Sequence, residues 1–319
     1  MLQRLVLAAL FVACLTPAHA QTRTVWMETT EGPMILELDE GAAPITVANF
    51  LAHVEQGFYD GIIFHRVIED FVVQAGAFDD ELAFRPPPFP AIQSEASNGR
   101  LNVPGTIAMA LAGSDVDSGR AQFFINTAVN DVLDGDFTVF GEVVTGLNVL
   151  ESIQSAPTTS IAAQALRDYP LRPVRIERVV ETDGYPLMPL HTGSWFDPQN
   201  PGRGLNVEIA NGGASGNDAT LVIYLYDFID GQQFWLAGSA NFDFGPSAVT
   251  VPMVILDGPQ FGDAFDPDDR NVEEWGTITF EVTGCGSAVM SYDSPEFGSG
   301  ERPLARLTRP NDLDSCEGL

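Results

Sequence analysis

Short segments rich in β-branched and aromatic residues recur along most of the 319-residue chain, and Gly, Pro, Asn and Asp separate them. Only two stretches have the spacing of a buried helical face, one from Pro44 to Gly57 and one from about Gly146 to Ile153. In the first half, strands are predicted at 25–29, 34–38, 62–67, 71–74, 106–110, 122–126, 138–140 and 173–180. This half therefore reads as a closed sheet capped by two helices.

The second half has no sustained helical periodicity. Strands are predicted there at 220–228, 234–240, 249–256, 277–282, 288–292 and 303–308, which is typical of a smaller all-β sandwich or barrel. Asp183-Gly184-Tyr185-Pro186 begins a predicted linker. We therefore expect domains at 24–182 and 193–319, joined by a linker at 183–192.

The charge balance excludes several functions. The chain has 44 acidic and 15 basic residues, a net charge of −29, and no lysine. The absence of lysine excludes Schiff-base catalysis, a lysine general base and a phosphate-binding P-loop. Such an acidic chain repels phosphates, so we expect no nucleic-acid partner.

The first twenty residues resemble a secretory signal peptide. Arg4 precedes an apolar run from Leu5 to Leu15, which is too short to span a bilayer, and Ala18-His19-Ala20 is a cleavage signal. We expect removal of residues 1–20, export to the periplasm or to the outside of the cell, and no stable membrane insertion. Lipid attachment at Cys14 is a weaker alternative.

Cleavage would leave two cysteines, Cys285 and Cys316. Export to an oxidising compartment favours a disulfide between them, and two unpaired thiols are the alternative.

Two stretches contain the polar residues best suited to chemistry. The first, from Phe64 to Gly76, includes Arg66 and Gln74, and the second, from Gly105 to Asn126, includes Gln122. Arg66, Phe71 and Gln74 can share one face only if the chain turns between them, and Glu69-Asp70 could form that turn. From the residues alone, the alternative is two hydrophobic strands with an incidental surface arginine.

Together with Thr46–Phe50, Phe58–Gly61, Leu133-Asp134 and Val139–Gly141, these segments resemble the cyclophilin-type peptidyl-prolyl cis-trans isomerases. The resemblance runs from about Val25 to Val180. The motifs Pro90-Ala91-Ile92 and Glu95–Gly99 resemble the bacterial periplasmic subtype. This resemblance implies an eight-stranded antiparallel barrel capped by two helices, proline-containing unfolded or flexible polypeptides as substrates, and neither metal nor cofactor.

The resemblance also implies residue roles. Arg66 is the catalytic residue, and Gln74 orients it and contacts the substrate backbone. The pocket for the proline ring is formed by Phe71, Val72, Phe124 and Leu133, with Phe137 at its edge. Gln122 is a second polar contact with the substrate. Leu111 stands where relatives often have an asparagine that acts through its main chain, and Ala112 lines the adjoining subsite.

This sequence departs from the family pattern at several positions. Val72 replaces a more usual methionine, Glu69-Asp70 replaces Pro-Gly, and Ala75 replaces glycine. Val132 stands where vertebrate relatives have a tryptophan linked to tight cyclosporin binding, so we expect weak cyclosporin affinity. Because the main site residues remain, isomerase activity is expected. The alternative function is a proline-peptide binding or chaperone module with little turnover, localised by the C-terminal domain.

Weaker signals have a structural and a functional interpretation. His65 is expected to be structural, and His53 is expected on the surface near its helix C-terminus. The acidic run from Asp263 to Glu274 reads as a solvated loop, with calcium binding as the alternative. The segments Gly193–Pro198, Gly202–Gly204 and Tyr224–Asp227 resemble a poorly characterised β module of exported bacterial proteins. Four aromatics of this half could form a core or a sugar- or peptide-binding surface: Trp195, Tyr224, Tyr226 and Trp235.

Overall fold

A computed structural model describes residues 22–162, 166–212, 218–243, 245–257 and 271–308. The signal segment, Cys316 and the acidic residues before Asn271 lie outside these ranges. The first half has helices α1 (Pro44–Glu55) and α2 (Leu147–Gln154) and one antiparallel sheet, confirming the predicted fold. The sheet strands are β1 (Thr22–Thr29), β2 (Gly32–Asp39), β3 (Arg66–Ile68), β4 (Val72–Ala75), β5 (Thr106–Met109), β6 (Phe123–Asn126), β7 (Val139–Thr145) and β10 (Ile176–Thr182), in the order β10-β1-β2-β7-β5-β6-β4-β3.

Backbone hydrogen bonds beside the two edge strands close this sheet on itself. The amide of Phe64 donates to the carbonyl of Val174 at 2.9 Å, and the amide of Ile176 donates to that of Ile62 at 2.7 Å. Of the predicted strand at 62–67, only its end belongs to β3. Ile62 and Ile63 form isolated bridges instead, with Asp79 and Arg175.

The core of this barrel is aromatic. Phe50 on α1 lies 5.0 Å from Tyr59, 5.7 Å from Phe123 and 5.4 Å from Phe140, measured between ring centroids. All four rings are completely buried. The helix begins at Pro44, whose fixed φ suits the first helical position, and Gly57 follows it with a left-handed φ of +61°.

A hairpin between α2 and β10 was not predicted. It consists of β8 (Thr158–Ile161) and β9 (Leu166–Pro170), and β9 lies against β3. β8 is mostly exposed, and β9 has one exposed residue followed by an intermediate one and two buried ones, so neither strand shows the hydrophobic alternation from which the other strands were predicted.

The second half is a closed antiparallel barrel, which decides between the predicted sandwich and barrel. Its first and last strands pair, with Trp195 opposite Arg306. The first two of its strands were not predicted. The eight strands are β11 (Gly193–Phe196), β12 (Gly204–Gly212), β13 (Asp218–Ile229), β14 (Gln232–Asp243), β15 (Ala248–Asp257), β16 (Asn271–Gly284), β17 (Ser287–Ser294) and β18 (Gly298–Arg306).

The segment between the barrels is packed rather than solvated. Leu187, Met188 and Leu190 are buried. The hydroxyl of Tyr185 lies 3.0 Å from Thr145 Oγ1 in the first barrel and 3.0 Å from Cys285 Sγ in the second. Neither helix in the described ranges has the length and apolarity needed to cross a membrane.

Candidate active site

A row of directly opposed residues crosses four strands of the first barrel. Arg66 on β3 lies opposite Gln74 on β4, Gln74 lies opposite Phe124 on β6, and Phe124 lies opposite Ala108 on β5. Opposed residues share one face of a sheet, and neighbours along a strand point to the other face. Since Val73 and adjacent core residues point inward, this row lies on the outer face of the barrel.

The polar residues of this face form a hydrogen-bonded chain. Arg66 Nη1 donates to Gln74 Oε1 at 3.3 Å, and Gln74 Nε2 donates to Gln122 Oε1 at 3.0 Å. Gln122 lies two residues before Phe124, so it shares the same face. These two hydrogen bonds fix the orientation of the Gln74 amide and hold one side of the Arg66 guanidinium.

The sequence interpretation missed a carboxylate beside Arg66. Asp168 on β9 places Oδ2 3.8 Å from Arg66 Nε, with the two side chains 44% and 37% exposed. An ion pair this exposed contributes little to stability, but it biases the direction of the guanidinium. Asp168 also has a left-handed φ of +55°. No local motif marks it, since its hairpin reaches the site from a distant part of the sequence.

The turn predicted at Glu69-Asp70 is confirmed. Asp70 has a left-handed φ of +54°, and its amide donates to Gln154 Oε1 at the end of α2 at 3.2 Å. The amide of Phe71 donates to the carbonyl of Ile68 at 3.1 Å and completes the turn. This reversal brings Phe71 next to the face that carries Arg66.

An apolar cluster adjoins the hydrogen-bonded polar residues. Val72 and Phe124 are buried in it together with Ala108 and Val139, and the partly buried residues packed against them include Phe71, Leu133 and Phe137. The rings of Phe124 and Phe137 meet edge to face, 5.4 Å apart. The structure therefore brings all five predicted ring-pocket residues together.

Three buried asparagines support this cluster, and the sequence interpretation gave them no role. Asn126 Nδ2 donates to Thr106 Oγ1 at 2.9 Å and to Asn102 Oδ1 at 3.1 Å. Asn130 Nδ2 donates to Asn126 Oδ1 at 2.7 Å and to the carbonyl of Phe71 at 2.8 Å. This network ties the Phe71 turn to the loop that carries Leu133. Polar residues inside a β-strand pattern are the signal that could have indicated it.

The two remaining predicted residues border a neighbouring cavity. Leu111 and Ala112 line a space of about 280 Å³ together with Gln122 and Gly76. Pro86 and Pro87, from the proline-rich loop, form another part of its wall. Gln122 therefore lies between the ring pocket and this second space.

Comparison with known proteins agrees with this geometry. The family model described as cyclophilin type peptidyl-prolyl cis-trans isomerase/CLD matches residues 24–181. A peptidyl-prolyl cis-trans isomerase of Acinetobacter baylyi is 40% identical over 168 residues, which are 51% of this chain and 87% of the relative. The chain belongs to the cyclophilin family of peptidyl-prolyl cis-trans isomerases.

Other relatives of this cyclophilin match the same half of the chain. Peptidyl-prolyl cis-trans isomerase A of Dickeya dadantii is 38% identical, across 54% of this chain and 92% of the relative. Peptidyl-prolyl cis-trans isomerase B of Escherichia coli is 36% identical, across 50% of this chain and 99% of the relative. The similarity to these isomerases thus spans the first barrel.

The histidine beside the cyclophilin's arginine remains neutral at physiological pH. His65 is buried, and burial lowers its pKa to about 4 although the Ile63 backbone opposes the shift. Rotation about an amide transfers no proton, so the chemistry does not need an imidazole.

We expect His65→Gln to keep kcat/KM within about twofold, whereas loss of a general acid or base would cost about 10²–10⁴-fold. The pKa of His65 is lower in the folded protein than in the unfolded chain, so the unfolded chain binds more protons between pH 6.5 and about 4. The free energy of unfolding therefore decreases as the pH is lowered through that window. Thermal melting from pH 7 to 4 should show a shallower decline for His65→Gln. A turnover loss of about 100-fold in the folded variant would contradict this assignment.

The predicted surface position of His53 is wrong. His53 on α1 is fully buried, its Nδ1 lies 2.8 Å from the carbonyl of Asn49, and its ring packs edge to face against Phe58 and Phe89. Burial lowers its pKa. The loop carrying Phe89 covers this end of the helix, and helical periodicity could not show that contact.

Proposed function

We propose that this cyclophilin accelerates cis–trans isomerisation of X–Pro bonds in unfolded or flexible exported polypeptides. The observation that carries the proposal is the position of Arg66, held by Gln74 and Asp168 beside the apolar cluster that contains Val72 and Phe124. No metal or cofactor is required for this reaction.

Amide resonance sets the difficulty of the reaction. The barrier to rotation is about 18–20 kcal/mol, and uncatalysed X–Pro exchange takes tens to hundreds of seconds. Half-way through the rotation, the imide nitrogen loses conjugation and regains a lone pair. A catalyst must therefore hold the proline ring, hold the adjacent backbone and favour the twisted amide.

The residues of the site match these three tasks. The pocket around Phe124 excludes water and holds the ring. Gln74 and Gln122 present amide groups to the substrate backbone. The Arg66 guanidinium, which remains charged and has rigid donors, hydrogen-bonds the imide nitrogen more strongly in the twisted state than in either planar state. That difference in binding lowers the barrier.

A binding or chaperone module with little turnover is the alternative. NMR exchange spectroscopy on a short X–Pro peptide distinguishes the two, because a catalyst adds exchange cross-peaks between the cis and trans forms at substoichiometric protein. A binding module only shifts the resonances. Absence of catalysed exchange would reject the isomerase proposal.

We also propose weak cyclosporin binding. Val132, beside the pocket residue Leu133, is 74% exposed and offers neither the area nor the N–H donor of a tryptophan. We expect Val132→Trp to tighten cyclosporin binding by at least about tenfold, measured by calorimetry. Low-nanomolar binding by the unmodified chain would overturn the proposal.

We propose further that residues 1–20 are removed on export to the periplasm or beyond, and that Cys285 pairs with Cys316. The support is the sequence pattern of the leader and the oxidising compartment it implies. The intact mass of the protein recovered from the producing cells should match a chain beginning at Gln21. It should increase by about 2 Da on reduction if the disulfide is present. Retention of the leader, or an unchanged mass on reduction, would reject the corresponding part.

A further inference from the structure

One end of the second barrel contains a cavity of about 210 Å³. The packed connection enters β11 at Gly193, and the cavity lies at the other end of the strands. Arg203 before β12, Phe228 at the end of β13 and Phe297 between β17 and β18 line it. Leu225 and Met290, both buried, form its apolar base. The cavity is thus remote from the connection to the isomerase domain.

The lining carries more positive than negative charge. Asp227 is 8% exposed, and its two carboxylate oxygens lie 2.7 Å from Arg203 Nε and 2.8 Å from Arg302 Nη1. Two guanidinium groups share this carboxylate, so the residues that line the cavity carry one more positive than negative charge. Asp197 lies outside the lining, and its pKa is lowered by hydrogen bonds from Asn200 and Gln199 and by the charge of Arg302. Asp197 therefore offsets part of the Arg302 charge, and Arg203 is the cation left for a ligand.

Arg203 has donors left for a ligand. Its Nε is engaged by Asp227, and within the described part of the chain its two Nη atoms have no hydrogen-bond partner. A guanidinium presents its N–H groups in a planar fork that matches a carboxylate. The free side of Arg203 therefore fits an anionic oxygen pair.

The remaining wall is aromatic. Trp275 and Phe297 stack with centroids 6.1 Å apart and an interplanar angle of 19°, and Tyr292 lies 6.2 Å from Trp275. Trp275 is 8% exposed, and its indole Nε1 is buried without a hydrogen-bond partner in the described structure. Buried donors are normally satisfied, so this wall has an unused one. The volume, below the usual range of about 300–1,000 Å³ for drug-sized ligands, fits one ring with a short arm.

We propose that this cavity binds a carboxylate attached to one aromatic or similarly bulky apolar group. Arg203 holds the carboxylate, and the wall formed by Trp275, Tyr292 and Phe297 holds the apolar group. A free small acid and the C-terminal residue of a polypeptide both have this chemistry. The proposal is independent of the isomerase function, because no residue of the first barrel lines the cavity.

Calorimetric titration of the full chain tests the proposal with two acids that lack proline. We expect 3-phenylpropionate, or acetyl-Gly-Ala-Phe with a free carboxylate, to bind one-to-one, and the corresponding amides to bind at least about tenfold more weakly. Arg203→Gln should weaken acid binding at least about tenfold. Arg175→Gln removes an arginine of equal charge from the first barrel and should change nothing. Phe297→Ala, which alters only a partly exposed rim residue, should also weaken both acids.

Binding of the peptide alone would identify a chain terminus as the ligand, and binding of 3-phenylpropionate alone would identify a small acid. Three results overturn the proposal: no saturation by either acid up to about 10 mM, equal affinity for acid and amide, or unchanged binding in both folded variants, Arg203→Gln and Phe297→Ala.

Discussion

Replacing Arg66 with alanine is expected to lower kcat/KM for an X–Pro peptide by about 10²–10³-fold, the usual cost of removing one preorganised donor to the transition state. The fold should persist, because the side chain makes one 3.3 Å hydrogen bond and one exposed ion pair. Exchange spectroscopy measures the rate, and thermal melting checks the fold. Since Arg66 acts on the twisted amide, the loss should fall on kcat more than on KM.

Two further variants make this test specific. Arg66→Lys keeps the positive charge but loses the planar fork, so it should recover only a small part of the activity. Arg175→Ala removes an arginine from exposed pairs with Asp80 and Glu177 in the same barrel and should leave kcat/KM unchanged. Equal turnover by Arg66→Ala and the wild type would show that the guanidinium is not the catalytic group.

Gly76→Ala is expected to destabilise the first barrel by about 3 kcal/mol or more and to lower kcat/KM about 10–100-fold. Gly76 follows β4 with a φ of +97°, and a Cβ there would lie 2.6 Å from the carbonyl oxygen of Ala121 and 2.7 Å from the Cα of Gln122. The backbone at Ala121 and Gln122, directly before β6, must move to relieve this overlap. The 3.0 Å hydrogen bond between Gln122 and Gln74 would then weaken.

Gly99→Ala is the matched control. Gly99 has a similar φ of +81°, but a Cβ there meets nothing within 4 Å. Gly99→Ala should lower the free energy of unfolding by only about 1 kcal/mol, the cost of a left-handed backbone at alanine, and should leave turnover unchanged. Chemical denaturation measures both stabilities. If the two variants lose the same stability and activity, the contact with the Ala121–Gln122 backbone has no effect.

The hydrophobic pattern of the sequence predicted those helices and strands whose conformation depends mainly on their own residues. The helix starting at Pro44 and the strand containing Gln74 follow from periodicity, and the Glu69-Asp70 turn follows from the need to bring Arg66 and Gln74 onto one face. The resemblance then named the polar and apolar residues that the structure places together.

The rest depends on contacts between distant parts of the sequence. Asp168 reaches Arg66, 102 positions earlier in the sequence, through a hairpin whose strands lack hydrophobic alternation. His53 is buried because the loop carrying Phe89 folds over it. The choice between sandwich and barrel rested on whether β11 pairs with β18, and both arrangements have the same alternation along each strand.

The outer-face row described above separates the demands of catalysis from those of folding. On β4 and β6, Gln74 and Phe124 lie on the outer face while their neighbours Val73 and Phe123 fill the core. Because Gln74 and Gln122 are only partly buried, substitutions at these outward positions are expected to change which peptides are accepted without opening a cavity inside the barrel. Phe124 also faces outward but is 5% exposed, so truncating it would leave a cavity. A library restricted to the partly buried polar positions would explore substrate specificity at nearly constant stability, whereas shifting the same library onto Val73 and Phe123 would mostly produce unfolded protein.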